Sequence, residues 1–138
     1  MSEANKDLAR RWFEEVWNQH SEAAIDAMFS AEGKCYGFPD PDSILIGPEA
    51  FKQVHRNFCR AFPDQHVTVE DVISGGDRVA VRFRASMTHL GEGVGIPATG
   101  RKASITGASF MVIQNGQITE GWNQVSILDL MQQLKTQP

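Results

Sequence analysis

The chain has 138 residues, 41% hydrophobic and 22% charged, with a formal net charge of −4, which is long enough to bury one core without metal or disulfide staples. A mildly acidic protein whose only adjacent basic pairs are Arg10-Arg11 and Arg101-Lys102 carries no electrostatic footprint for nucleic acid or an anionic membrane. No apolar run approaches the ~20 residues of a bilayer span, and the start Ser2-Glu3-Ala4-Asn5-Lys6-Asp7 is too polar for a signal peptide, so a single cytoplasmic domain over 1–138 is expected.

The first segment reads as an amphipathic helix. Leu8, Trp12, Phe13 and Val16 recur at three- and four-residue spacing, with Arg10, Arg11, Glu14 and Glu15 opposite. Asn18-Gln19-His20-Ser21 interrupts it, and Ser21 is placed to cap a second short helix carrying Ala24, Ile25, Met28 and Phe29. From Glu32 to Gly47, glycines and prolines punctuate one short strand and an irregular loop around Phe38-Pro39-Asp40-Pro41-Asp42. A third helix starts at Gly47-Pro48-Glu49, carries Phe51, Val54, His55, Phe58 and Phe62, and stops at Pro63-Asp64.

Beyond Pro63 the period changes to two. Strands are expected at His66–Ser74, Arg78–His89, Lys102–Gln114 and Gln117–Ser126, with turns at Gly75-Gly76-Asp77 and Asn115-Gly116. Gly91, Gly93, Gly95 and Pro97 describe a mobile loop between the second and third of these. Leu128, Leu130, Met131 and Leu134 suggest a short closing helix. Helices first and consecutive hairpins afterwards predict an α+β domain with a curved antiparallel sheet wrapped around the N-terminal helices. Gly107 and Gly121 are the expected sites of a bend or bulge. The concavity of such a sheet is a natural site for a small apolar organic ligand.

The order and spacing of several pieces resemble the SnoaL-like polyketide cyclases, within the nuclear-transport-factor-2-like (cystatin-like) fold group. These pieces are 10–18, Gly47-Pro48-Glu49-Ala50-Phe51, Ala61-Phe62-Pro63-Asp64, Gly76-Asp77-Arg78-Val79, Thr88-His89-Leu90-Gly91, 95–101, 115–118 and Glu120-Gly121-Trp122-Asn123. The resemblance implies a conical α+β barrel, a homodimer or higher oligomer, and cofactor-free ring closure of a polyketide ester by intramolecular aldol chemistry. Isomerases, lyases, epoxide hydrolases and non-enzymatic binders share such pockets, so the fold does not select the chemistry.

Aldol closure needs a base beside a carbonyl and donors for the enolate oxygen. The resemblance places an aspartate after the tryptophan of the last strand and an assisting histidine one strand earlier; the matching positions here are Asn123 and Ser109. An amide cannot take a proton at neutral pH, so Asn123 either orients and hydrogen-bonds a ligand or stays a structural amide. Ser109 either faces the cavity or bonds to backbone. His89 shares alternation with Val79, Val81, Phe83, Ala85 and Met87, which makes it an acid/base candidate or a strand-end histidine.

Asp71 shares alternation with Val67, Val69 and Ile73 and, pointing inward, would replace the missing base; a bulge at Glu70-Asp71 would turn it outward. Tyr36, Trp17, Phe62, Trp122 and Met111 complete the ligand-lining candidates. His55 and His66 sit at positions compatible with exposure. An Asp71–Arg82/Arg84 water-activating set is disfavoured because those arginines alternate with the apolar face. Cys35 and Cys59 are expected as reduced thiols without a paired histidine, and no metal-ligand spacing is present.

Overall fold

The computed structural model describes residues 2–135. Its elements in chain order are α1 (Ser2–Arg11), a π-helical segment (Trp12–Asn18), α2 (Glu22–Met28), β1 (Phe29–Tyr36) and β2 (Ile44–Ile46). There follow α3 (Pro48–Ala61), β3 (His66–Gly75), β4 (Arg78–Thr88), β5 (Lys102–Gln114), β6 (Gln117–Val125) and α4 (Ile127–Lys135).

The buried residues of the first helix form two rows at a strict spacing of four, Leu8-Trp12-Val16 and Ala9-Phe13-Trp17. A step of four overshoots one α-helical turn by about 40°, so both rows would drift off one face. The wider π turn after Arg11 compensates for that drift and keeps Trp12, Phe13, Val16 and Trp17 buried together. The Gln19 amide accordingly reaches back five residues to the Glu14 carbonyl, at 3.0 Å. Asn18 ends the segment by pairing both ways with Val67 of β3, its amide donating to the carbonyl at 3.0 Å and its oxygen accepting the backbone N–H at 2.7 Å.

Ser21 caps α2 by accepting from the Ala24 amide at 3.1 Å. Gly47, at φ +87, admits the turn into α3, with Pro48 in the first turn. Phe51, His55, Phe58 and Ala61 make the buried stripe of α3. Its last free carbonyl, on Ala61, accepts from the amides of both Leu90 and Gly91, at 2.9 and 3.1 Å.

The six strands form one sheet in the order β2-β1-β6-β5-β4-β3. All neighbours are antiparallel except β1 and β6, which run parallel. The parallel pair arises because β1 enters straight from α2 and not from a hairpin. Phe29 begins β1 and does not extend the helix. β2, inside the segment expected to be an irregular loop, is a three-residue edge strand with Ile44 and Ile46 exposed. The sheet curves without closing, and the helices lie in its concave side.

The register shifts fall between Phe29 and Lys34, Val69 and Asp71, and Val112 and Ile113, not at Gly107 or Gly121. Gly107 answers a different need. A Cβ there would come within 2.6 Å of the Phe83 ring and 3.0 Å of the Gln124 carbonyl. Asn115 and Gly116 both take positive φ, +54 and +75, as the tight β5–β6 turn requires. Among the described residues no helix is long and apolar enough to cross a membrane.

Candidate functional site

A cavity of about 80 Å3 lies between the helices and the concave face of the sheet. The helical side contributes Trp12, Phe13, Trp17, Phe51 and Phe58; the strands contribute Phe83, Met87 and Met111. Trp17 anchors this wall, with Phe38, Phe51 and Phe58 edge-on to its ring at centroid distances of 5.5, 5.9 and 5.7 Å. Gly121 belongs to the lining as well. A Cβ on it would meet nothing nearer than the Phe110 carbonyl at 4.0 Å, so the missing side chain leaves cavity space free.

Besides the indoles of Trp12 and Trp17, four polar side chains among the described residues line the cavity: Cys35, Gln65, Ser109 and Asn123. Ser109 and Asn123 are directly opposed across β5 and β6, and the serine hydroxyl donates to Asn123 Oδ1 at 2.8 Å. Asn123 Nδ2 donates to the Tyr36 carbonyl at 3.0 Å and to Cys35 Sγ at 3.2 Å. A carbonyl can only accept, so Tyr36 fixes which end of the amide faces it. An aspartate at position 123 would set carboxylate oxygen against that carbonyl. Gln65 is held likewise, its Nε2 donating to the carbonyl of Trp17.

Burial pushes the Cys35 thiol up to about 11, against a smaller downward pull from Asn123. Near neutrality it is a thiol, not a nucleophilic thiolate. Cys59 is also pushed up to about 11 by burial. Contrary to expectation it has a histidine beside it, with His55 Nε2 3.6 Å from its sulfur. That nitrogen is already engaged with the Val16 carbonyl at 2.7 Å.

The other candidates lie elsewhere. Asp71 is exposed: the bulge after Val69 changes the phase of β3, so that Val72 faces inward and Asp71 and Ile73 face out. Arg82 and Arg84 point out too, both paired with Glu70 at 2.9 and 3.2 Å. Tyr36 and Trp122 stack on the outer face at 5.5 Å, and the phenol donates to Glu120. Tyr36 serves the site only through its backbone carbonyl. Phe62 is core, packed between Phe58 and His89 at 4.8 and 5.3 Å.

His89 is fully buried but does not line the cavity. Its backbone pairs with Arg101 and Gly100, and its Nδ1 accepts the Thr99 amide at 3.2 Å. A backbone N–H can only donate, so the ring proton sits on Nε2, which has no hydrogen-bond partner among the described residues. The histidine clasps the base of the 90–100 loop. His55 is buried as well, not exposed, with Trp17 at 5.0 Å.

Sequence reasoning missed Cys35 and Gln65 as site residues. Cys35 does fall on the inward alternation of β1, but Gln65 sits in a turn where no periodicity points anywhere. The model of the family described as SnoaL-like polyketide cyclase matches residues 7–134. The chain belongs to this family. A SnoaL-like polyketide cyclase, provisionally so named, from Jannaschia sp. CCS1 superposes at a TM-score of 0.90, with 20% identity over 99% of this chain and 95% of that one. AclR from Streptomyces galilaeus, provisionally a hydroxylase, gives 0.84 at 24% identity over 100% and 85%. A protein of ketosteroid isomerase-like fold from Catenulispora acidiphila DSM 44928, in complex with trimethylamine, gives 0.76 at 14% identity over 96% and 98%. At these identities the likeness is one of fold. No curated protein sequence matches the chain. This SnoaL-like chain carries the two positions that the resemblance marks, 109 and 123, as a bonded Ser–Asn pair inside the cavity.

Proposed function

We propose that this SnoaL-like protein binds a small, largely apolar organic compound in the cavity and holds it without acid/base chemistry. The observation that carries this reading is the character of the polar lining: two amides, a hydroxyl, two indole N–H groups, and a thiol whose pKa burial raises to about 11. Such groups hold and orient a ligand but do not exchange protons with it near neutral pH. Among the described residues no carboxylate or imidazole lines the cavity. The aspartate-driven aldol route therefore has no base at position 123, and neither Asp71 nor His89 is placed to supply one.

Ring closure is the second reading, and family membership favours it. An apolar pocket that folds a chain back on itself brings the reacting carbons together, with water taking the proton lost from the attacking carbon and supplying the one gained by the carbonyl oxygen. We also propose that the protein self-associates through its outer sheet face.

Native mass spectrometry of freshly purified protein, with identification of any bound compound, tests the binding reading. The control is Gly121→Leu, whose side chain fills the cavity while its Cβ meets no close neighbour. Retained circular dichroism with at least tenfold weaker ligand capture is expected. Equal capture by Gly121→Leu would place the ligand elsewhere. Turnover of a bound compound by the parent protein would move the assignment to the cyclase reading.

A further inference from the structure

We infer that the ligand presents a hydrogen-bond donor, an alcohol, phenol or N–H, to the Ser109–Asn123 end of the cavity, and not a ketone or ester carbonyl. This inference rests on the ligand-binding reading and specifies the chemical class. It follows from counting protons. Asn123 has two amide hydrogens, and both are committed, one to the Tyr36 carbonyl and one to Cys35 Sγ. The single Ser109 proton is committed to Asn123 Oδ1. What remains at this end is acceptor capacity: one lone pair on Asn123 Oδ1 and the lone pairs of Ser109 Oγ. The thiol proton of Cys35 is a weak donor.

A ligand hydroxyl adds a bond here with none lost. A ligand carbonyl must instead draw the Ser109 proton away, and that strips a buried amide oxygen of its donor. On the helical side, Gln65 keeps one amide hydrogen beyond the one given to Trp17. It is a lining donor able to satisfy a carbonyl, as are the indole N–H groups of Trp12 and Trp17 in the same wall, so its removal is part of the test.

The experiment uses pairs of equal skeleton, cyclohexanol with cyclohexanone and 1-phenylethanol with acetophenone, titrated by ligand-observed NMR. The alcohol of each pair is expected to bind at least tenfold more tightly, equivalent to about 1.4 kcal/mol. In Gln65→Met the preference is retained or widened. In Cys35→Ala one Asn123 hydrogen is released toward the cavity, and the preference narrows at least threefold. A ketone binding as tightly as its alcohol in the parent protein overturns the inference and leaves the binding reading intact. Binding of neither compound at millimolar concentration overturns both.

Discussion

His55 is the residue whose burial is most open to a direct titration. It donates Nε2–H to the Val16 carbonyl, where the π segment runs out of helical partners, while Nδ1 has no partner among the described residues. Burial holds its pKa below the ordinary histidine value, and the Val16 bond offsets this only in part. Between that lowered value and about 6.5 the unfolded chain binds more protons than the folded one. Stability contributed by neutral His55 is thus complete above about pH 6.5 and is lost as pH falls through the folded value. Thermal unfolding from pH 7.5 to 5.5 is expected to show a falling midpoint, with a smaller fall in His55→Gln. An identical slope in that variant would assign the loss to other groups.

The loop from Leu90 to Gly100 shows how an element acquires its purpose from what it touches. Its glycines read as freedom of movement in the sequence, yet Gly91 and Gly93 lie against α3. A Cβ on either would stand 2.1 Å from the carbonyl oxygen of Arg60 or Asn57. These glycines permit close approach, and the amides of Leu90 and Gly91 end α3 by bonding to Ala61. Gly91→Ala is expected to cost about 1–3 kcal/mol in urea denaturation through overpacking. Gly75→Ala, with nothing within 4 Å of its Cβ, should stay within about 0.5 kcal/mol; equal losses would refute the close-approach argument. The long periodic strands, the Ser21 cap and the Asn115-Gly116 turn were legible because local chemistry decides them. Asp71 was not, because one unpaired residue in β3 inverts every alternation after it, and β2 was not, because three residues carry too little period. The site was half legible: positions 109 and 123 came from resemblance, whereas their bond to each other and to Tyr36 depends on register.

At the scale of the whole molecule the outer sheet face carries a continuous row of side chains across all six strands. Ile73, Ala80, Phe110, Trp122, Tyr36 and Ile44 are successive cross-strand partners. Ile73, Phe110 and Ile44 are 64%, 52% and 59% exposed, and contiguous apolar surface of this kind marks an interaction face. The proposed self-association is placed here. Light scattering after size exclusion is expected to report a dimer or larger assembly for the parent and a monomer for Phe110→Asp with unchanged circular dichroism. A monomeric parent would end the proposal. The π segment has an implication for how this chain tolerates insertion and deletion. Seven π-helical residues turn the chain through nearly the same angle as six α-helical ones at about 100° each, so removing one residue between Arg11 and Asn18 would let the segment relax to an ordinary α-helix with its flanks still in phase. An added residue has no such outlet, and would turn Trp17 out of the cavity wall and Asn18 away from Val67. This stretch therefore tolerates the loss of a residue better than the gain of one, because the surplus residue of the helix is already taken up in the π turn.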